Sequence, residues 1–361
     1  MDHRLAPANH ALQQLRVAQH EAQHGLQHKR APRPLPLFLE LVREAAREEP
    51  ELARRALAGL ARYGDAERMA RLAARPVVAR IGGTCLRDLG GSGSPVVLVP
   101  SLINPPNVLD LPGASLAEAL AARHRVLLLD WGAAAERAGL DLGGHVAGLL
   151  VPLVEGLGEE VSLVGYCLGG TMALAAAKLV PVCKVMTLAA PWRFAAYPQE
   201  SREGLELLWR RSAPAAEALG VLPIEVLQAA FWSFDPRGIV AKFARLADEP
   251  EDSIALRRFV TLEDWANDGE PLPLPAAREL IEELFLADRS GGGTWRVGGV
   301  VVRPDAAPSL HFTARADRIV PATSAPPGAV HAVSAGHVGM VVGSHAPSQL
   351  HAPLLAFLTS G

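Results

Sequence analysis

The sequence predicts an α/β fold: a mostly parallel central sheet with helices on both faces, a helical cap insertion and an N-terminal helical appendage. Three observations predict it. From residue 77 onward, short and almost wholly apolar runs alternate with helical patterns, as buried parallel strands and their crossovers do. Between about 196 and 288 that rhythm stops, and tryptophan-bearing helical stretches replace it. Before residue 76 the chain alternates apolar and charged residues at helical period.

Taken in order, residues 1–35 are polar, rich in His and Gln, and end in the Pro-broken run APRPLPL. Residues 37–75 predict amphipathic helices, the second begun by Pro50. VVARIGGTCLRDLG (77–90) and PVVLVP (95–100) predict strands. SLAEALAARH (115–124) predicts a helix, RVLLLDWG (125–132) a strand, and LGGHVAGLLVPLVEGLG (142–158) a helix. VSLVGY (161–166) is a strand pattern, GGTMALAAAKLV (169–180) a helix, and KVMTLAAP (184–191) a strand. After the cap the sheet resumes with PSLHFTA (308–314) and AVHAVSA (329–335), and LHAPLLAFL (350–358) closes the chain as a helix. The expected domains are 1–76 as the N-terminal helical region, 77–195 and 291–361 as the two parts of the core, and 196–290 as the cap.

Composition narrows the function classes. Hydrophobic residues make up 49% of the 361, too many for a disordered chain and enough for a large core. A formal charge of −3 offers no basic surplus for nucleic acid. Cys85, Cys167 and Cys183 are too sparse for a disulfide framework, and Cys85 and Cys183 lie in apolar segments as core thiols. The N-terminal stretch has no apolar signal core, and no run reaches the roughly 18 apolar residues of a transmembrane segment. The expected location is the cytoplasm, where thiols stay reduced. His20, His24 and His28 fall on one helical face, but Gly25 weakens that helix and no Cys or carboxylate completes a site. No metal is expected at these histidines.

The chemistry sits in Gly165-Tyr166-Cys167-Leu168-Gly169-Gly170. This is the G-x-S-x-G spacing with Cys in place of Ser, after an apolar strand and before a helix, the setting of a nucleophile elbow in an α/β-hydrolase fold. Glycines are needed because flanking side chains would collide with backbone in so sharp a turn. The elbow sets the sulfur at a helix N-terminus, where the dipole favours thiolate.

Such a nucleophile needs an acid and then a His, in that chain order. Asp317 lies just beyond the strand ending at Ala314, where a carboxylate can orient an imidazole from the adjoining loop. His337 lies in a Gly-flanked loop after the next short strand. Its competitors are weaker: His311 and His331 lie within strand-like runs, and His345 and His351 come after the loop. The predicted catalytic residues are therefore Cys167, Asp317 and His337. The oxyanion hole is expected from the backbone N–H groups of Leu168 and Ile103, the latter in the loop after PVVLVP. Asn107 and Asp110 fit turn and helix-capping roles.

These residues resemble the polyhydroxyalkanoate synthase family. LVPSLINPPNVLDLPGASLAEAL (98–120), GYCLGGT (165–171), LEDWANDGEPLP (262–273), ADRIVP (316–321) and AGHVGMVVG (335–343) resemble that family's motifs and run in family order. The resemblance implies Cys167 as acyl carrier with Asp317 and His337 as partners. It further implies a 3-hydroxyacyl-CoA substrate, a homodimer at a polyester granule surface, and no metal or organic cofactor. Asn104 and Tyr166 are expected substrate-binding residues, and Trp265 either lines the acyl pocket with them or is core aromatic mass. Three departures favour an alternative, a Cys-dependent esterase or thioesterase that releases free acid. The family's paired Tyr residues are replaced in Asn104-Pro105-Pro106-Asn107. Arg318 stands where the family has His, and Gly343-Ser344-His345 replaces an Asn-Pro-Pro run. GYCLGG also occurs in dienelactone hydrolases, but those chains are much shorter and lack the cap.

Overall fold

The computed structural model describes residues 30–68 and 75–360. His20, His24 and His28 lie outside them. The described residues divide into two compact units, 30–68 with 236–267, and 75–235 with 268–360.

The first unit is helical. Leu35–Glu48 and Pro50–Asp65 form the two expected helices, the second starting at Pro50, whose missing N–H costs nothing in a first turn. Pro236–Ala244 and Ile254–Asn267 complete the unit. An aromatic cluster holds it together: Phe243 lies 4.7 Å from Phe38, 5.9 Å from Tyr63 and 5.2 Å from Phe259 between ring centroids. A Cβ at Gly59 would stand 1.9 Å from the Phe243 carbonyl oxygen, so only glycine lets these backbones approach. Lys242 pairs with the buried Glu263 at 2.7 Å, and Tyr63 donates to Asp264 at 2.6 Å.

This unit corrects the expected boundaries. The segment 196–290 is not one cap: 236–267 clusters with the N-terminal helices, because Phe243 and Phe259 complete the core around Phe38 and Tyr63. Trp265, 8% exposed, belongs to the buried residues of this helical unit.

The second unit carries the sheet. Its strands are β1 (Val77–Ile81), β2 (Thr84–Gly90), β3 (Pro95–Val99), β4 (Arg125–Asp130), β5 (Ser162–Tyr166), β6 (Val185–Leu188), β7 (Ser309–Ala314) and β8 (Ala329–Val333). They lie in the order β1-β2-β4-β3-β5-β6-β7-β8. β1 and β2 run antiparallel to their neighbours, and all other pairs are parallel. This order, with a strand–elbow–helix after β5, is the α/β-hydrolase fold. β3, β5 and β6 are buried throughout, which is why they read as mostly apolar runs, with Ser162 and Thr187 as the buried polar exceptions.

Strand order reverses at β3: the chain steps out to β4 and returns on the other side to β5. The carboxyl ends of β3 and β5 therefore flank a crevice that no crossover covers, the usual ligand position in open α/β sheets. The helices Gln199–Leu219 and Ile224–Ser233, and the helical run 274–286, belong to this unit and supply cap-like mass. Among the described residues no helix is long and apolar enough to cross a membrane.

Candidate active site

Cys167 stands between β5 and the helix Leu168–Leu179, with φ 54° and ψ −130°, outside the comfortable range of a side-chain-bearing residue. The surroundings impose this. Its N–H donates to the Leu188 carbonyl at the end of β6 at 2.8 Å, and its carbonyl accepts the Gly170 N–H at 2.9 Å. A Cβ at Gly165 would lie 2.4 Å from Gly170 Cα, and one at Gly169 would lie 2.2 Å from the Val99 carbonyl oxygen. These glycines let the helix start pass against β5 and the end of β3. The Cys167 side is partly exposed, whereas Cys85 is 1% exposed in the core. Cys183 departs from the core reading: it is half-buried and its thiol donates to the Glu160 carboxylate at 3.6 Å.

Asp317 and His337 come together as expected. The loops after β7 and β8 are tied by backbone hydrogen bonds, Arg315 N–H to Val333 and Ala316 N–H to Ala335, both 2.9 Å. The Asp317 side chain is fully buried. Its Oδ1 accepts the N–H groups of Ile319 and Val320 at 2.8 Å each, and its Oδ2 lies 2.7 Å from His337 Nδ1. One oxygen is thus fixed by its own turn and the other is left for the imidazole.

The His337 side chain is 9% exposed. Burial pulls its pKa down. The Cys167 sulfur and the Asp317 carboxylate, each acting as a charge and as a hydrogen-bond partner, outweigh burial and raise it to about 10. Nδ1 is engaged by Asp317, which leaves Nε2 outside that hydrogen bond.

The other expected residues divide. Leu168 is the first residue of its helix, so its N–H has no acceptor within that helix and points out of the N-terminus. Ile103 is buried on the loop after β3. Its N–H reaches the Ser101 hydroxyl at a long 3.4 Å, and its carbonyl accepts Glu270 N–H at 2.8 Å. Asn104 comes next, half-buried. Tyr166 is not placed to meet a substrate. It is 3% exposed, its ring lies 5.2 Å from the His337 ring, and its hydroxyl donates to the His337 carbonyl at 3.4 Å. It ties the histidine loop to the strand that bears the cysteine. Trp265, already placed in the core of the helical unit, offers a buried indole rather than a pocket wall. Asp110 serves structure, accepting the Ser115 hydroxyl at 2.9 Å and pairing with Arg75, while Ser115 caps the helix Leu116–Ala121.

Sequence reasoning missed Tyr197. It is 5% exposed, and burial first, then the nearby Cys167 and Asp317 charges, push its phenol well above the ordinary range. It hydrogen-bonds Ser324, whose own hydroxyl donates to the Pro321 carbonyl at 2.7 Å. Nothing in AAYPQE marks this residue, because its position depends on how the chain leaves β6. The competing histidines fall elsewhere: His311 and His351 are buried, His331 is half-buried and His345 is exposed. Among the described residues, no group of three or more His, Cys, Asp or Glu side chains is arranged to hold a metal ion.

No protein-family model matches the chain. It is 26% identical over 286 residues to the poly(3-hydroxyalkanoate) polymerase subunit PhaC of Haloferax mediterranei, an alignment covering 71% of this chain and 56% of that one. It is 28% identical over 280 residues to the subunit of the same name from Synechocystis, covering 69% and 73%. The chain thus spans little more than half the length of the Haloferax protein. Among solved structures it is similar to E-2-(acetamidomethylene)succinate hydrolase, at 18% identity and a TM-score of 0.46, over 77% of this chain and 95% of that one. It is also similar to a meta-cleavage product hydrolase from Pseudomonas fluorescens, at 18% identity and a TM-score of 0.45, over 76% and 93%.

Proposed function

We propose that the protein is an acyltransferase of polyhydroxyalkanoate synthase type, taking 3-hydroxyacyl groups from CoA thioesters through an acyl-Cys167 intermediate. One observation carries the reading: Asp317 holds His337 at 2.7 Å just past β8, and the Cys167 sulfur and the Asp317 carboxylate together raise that ring to about 10 against the effect of burial. The likeness to polymerase subunits supplies the substrate class.

The steps follow from the arrangement. His337 takes the Cys167 proton, and Asp317 stabilises the imidazolium that results. The thiolate attacks the thioester carbonyl, with the Leu168 N–H donating to the developing oxyanion. The carbon–sulfur bond to CoA breaks, and His337 returns the proton to the departing CoA thiolate. In the second half the hydroxyl of another 3-hydroxyacyl group gives its proton to His337 and attacks the acyl-Cys. A new ester forms and the Cys167 thiol is restored. Tyr166 and Tyr197 act through the triad as positioning residues.

A hydrolytic outcome is the second reading, favoured by the three replacements at Asn104-Pro105-Pro106-Asn107, Arg318 and Gly343-Ser344-His345. Arg318 is one residue from Asp317 and outside its hydrogen bond to His337, so that replacement alters the surroundings of the site and not the pair itself. Incubation of the purified protein with a 3-hydroxyacyl-CoA separates the two readings. Polymer with CoA release supports transfer, free acid supports hydrolysis, and CoA release that persists in Cys167→Ala overturns both.

A further inference from the structure

The loop after β3 abuts the elbow: the Val99 and Pro100 carbonyls lie against Gly169, next to Leu168. In an elbow of this kind the second N–H for an oxyanion comes from that loop. The loop has to be held, because oxyanion donors work only when they are set before charge develops. Ile103, 5% exposed, is held by both of its backbone groups. Its N–H reaches the Ser101 hydroxyl at 3.4 Å, and its carbonyl accepts the Glu270 N–H at 2.8 Å.

Glu270 makes a second connection. Its carboxylate accepts the Ala134 N–H at 3.2 Å, in the turn Ala134–Arg137 that follows β4. One residue thus bridges the loops after β3 and β4. The strip of chain that carries it is itself fixed. Leu272–Pro273 pairs antiparallel with Val221–Leu222, and Leu272 is fully buried. A Cβ on Gly269 would stand 3.0 Å from the Ile103 carbonyl oxygen and 2.6 Å from Ile224 Cδ1, so the strip lies flush against the loop. Trp131, just past β4, adds a separate tie, its Nε1 donating to the Pro100 carbonyl at 3.0 Å.

We propose that Glu270 is a positioning residue for the acyl transfer: its N–H and its carboxylate together hold the loop after β3 where the N–H groups of that loop meet the oxyanion formed on the thioester carbonyl. The inference rests on the acyl-Cys reading above and adds a residue to it. Glu270 acts through the loop and not on the substrate. It is an exposed residue, so replacing its side chain removes the tie to Ala134 without opening a cavity in the core. A second role competes. Burial pushes the Arg137 guanidinium down, and the Glu270 and Asp130 carboxylates oppose that, with Arg137 only 3% exposed. A Glu270 that served only as this counter-charge would be replaced no better by Gln than by Ala.

The test compares the full chain with Glu270→Ala and Glu270→Gln. Turnover is read as CoA release from a 3-hydroxyacyl-CoA. Oxyanion binding is read with the carbadethia analogue, whose ketone adds the Cys167 thiol across its C=O without releasing CoA. Ground-state binding is read with the thioether analogue, which lacks the carbonyl. Glu270→Ala should lower kcat about 10- to 10²-fold with KM within about twofold, because the donors are misplaced and not removed. Affinity for the ketone should fall in step, and affinity for the thioether should stay. Glu270→Gln, whose amide oxygen can accept the Ala134 N–H, should recover most of both losses. General loss of folding lowers every signal in proportion and does not separate ketone from thioether. Unchanged kcat and ketone binding in Glu270→Ala, equal losses in the two variants, or a matching loss for the thioether overturns the proposal while the acyl-Cys reading stands. A parent chain in which Cys167 is never acylated overturns that reading, and this proposal with it.

Discussion

Two buried histidines in the same half of the sheet have opposite fates. His311, inside β7, has neutral partners, the Thr187 hydroxyl at 2.9 Å and the Pro327 carbonyl at 3.2 Å. Burial dominates and lowers it to about 4, so it is a neutral ring at physiological pH. His337, just past β8, is also buried, yet the Cys167 sulfur and the Asp317 carboxylate raise it to about 10. Burial alone makes a histidine inert. A charge at the ring outweighs burial and keeps the imidazole basic.

The largest effect that would break this contrast comes from removing the charge at the site. Asp317→Asn leaves the hydrogen bond geometrically open but takes away the carboxylate, and turnover should fall about 10⁴-fold. Turnover within tenfold of the parent protein would show that the pair is structural. His311→Gln should leave the chemistry within a few-fold.

A second test breaks the elbow without touching either ring. Gly169→Ala would drive a Cβ into the Val99 and Pro100 carbonyls at 2.2 and 2.5 Å. Backbone cannot yield there as a side-chain tip would, so the loss of stability should reach about 3 kcal/mol, read from urea midpoints. A loss below about 1 kcal/mol would mean that the turn tolerates a side chain.

The pH dependence of stability sharpens the comparison, because the two rings act on opposite limbs. His311 has a folded pKa below its unfolded one, so the unfolded chain binds more protons between about 6.5 and 4, and stability falls as pH drops through that window. The size is about 3 kcal/mol. His145 is also lowered to about 4 by burial and adds to this limb, so His311→Gln should remove about half of their joint loss. His337 has a raised folded pKa. Its contribution is complete below about 6.5 and is lost as pH rises toward about 10, so His337→Gln should flatten the alkaline limb. Denaturant midpoints measured from about pH 4 to about pH 10 check both signs.

The smallest expected effect is at Tyr197. Tyr197→Phe removes one buried hydroxyl from its hydrogen bond with Ser324 and should cost about 1 kcal/mol of stability. If the phenol positions the triad, the same change lowers kcat with little change in KM; a change in KM alone would place the hydroxyl on the substrate instead.

The sequence by itself determined the features that obey short-range rules. Buried parallel strands are mostly apolar, so β3 to β7 and their order in the chain were legible despite Thr187 and His311 within them. The elbow needs glycine where backbones touch, so Gly165, Cys167, Gly169 and Gly170 announced themselves, and the fold's logic set the order Cys167, Asp317, His337. Only the tertiary structure decided the features that depend on distant segments meeting. The boundary through the cap at 236 and 267 arises because Phe243 and Phe259 pack with Phe38 and Tyr63, and no local pattern records that partnership. The same holds for Tyr166 turning to support His337, for Trp265 lying in the helical unit, and for Tyr197 packing between Phe194 and Phe285. Side-chain periodicity tells which face of an element is buried; it does not tell against which partner, and that choice is made by the packing of the whole chain.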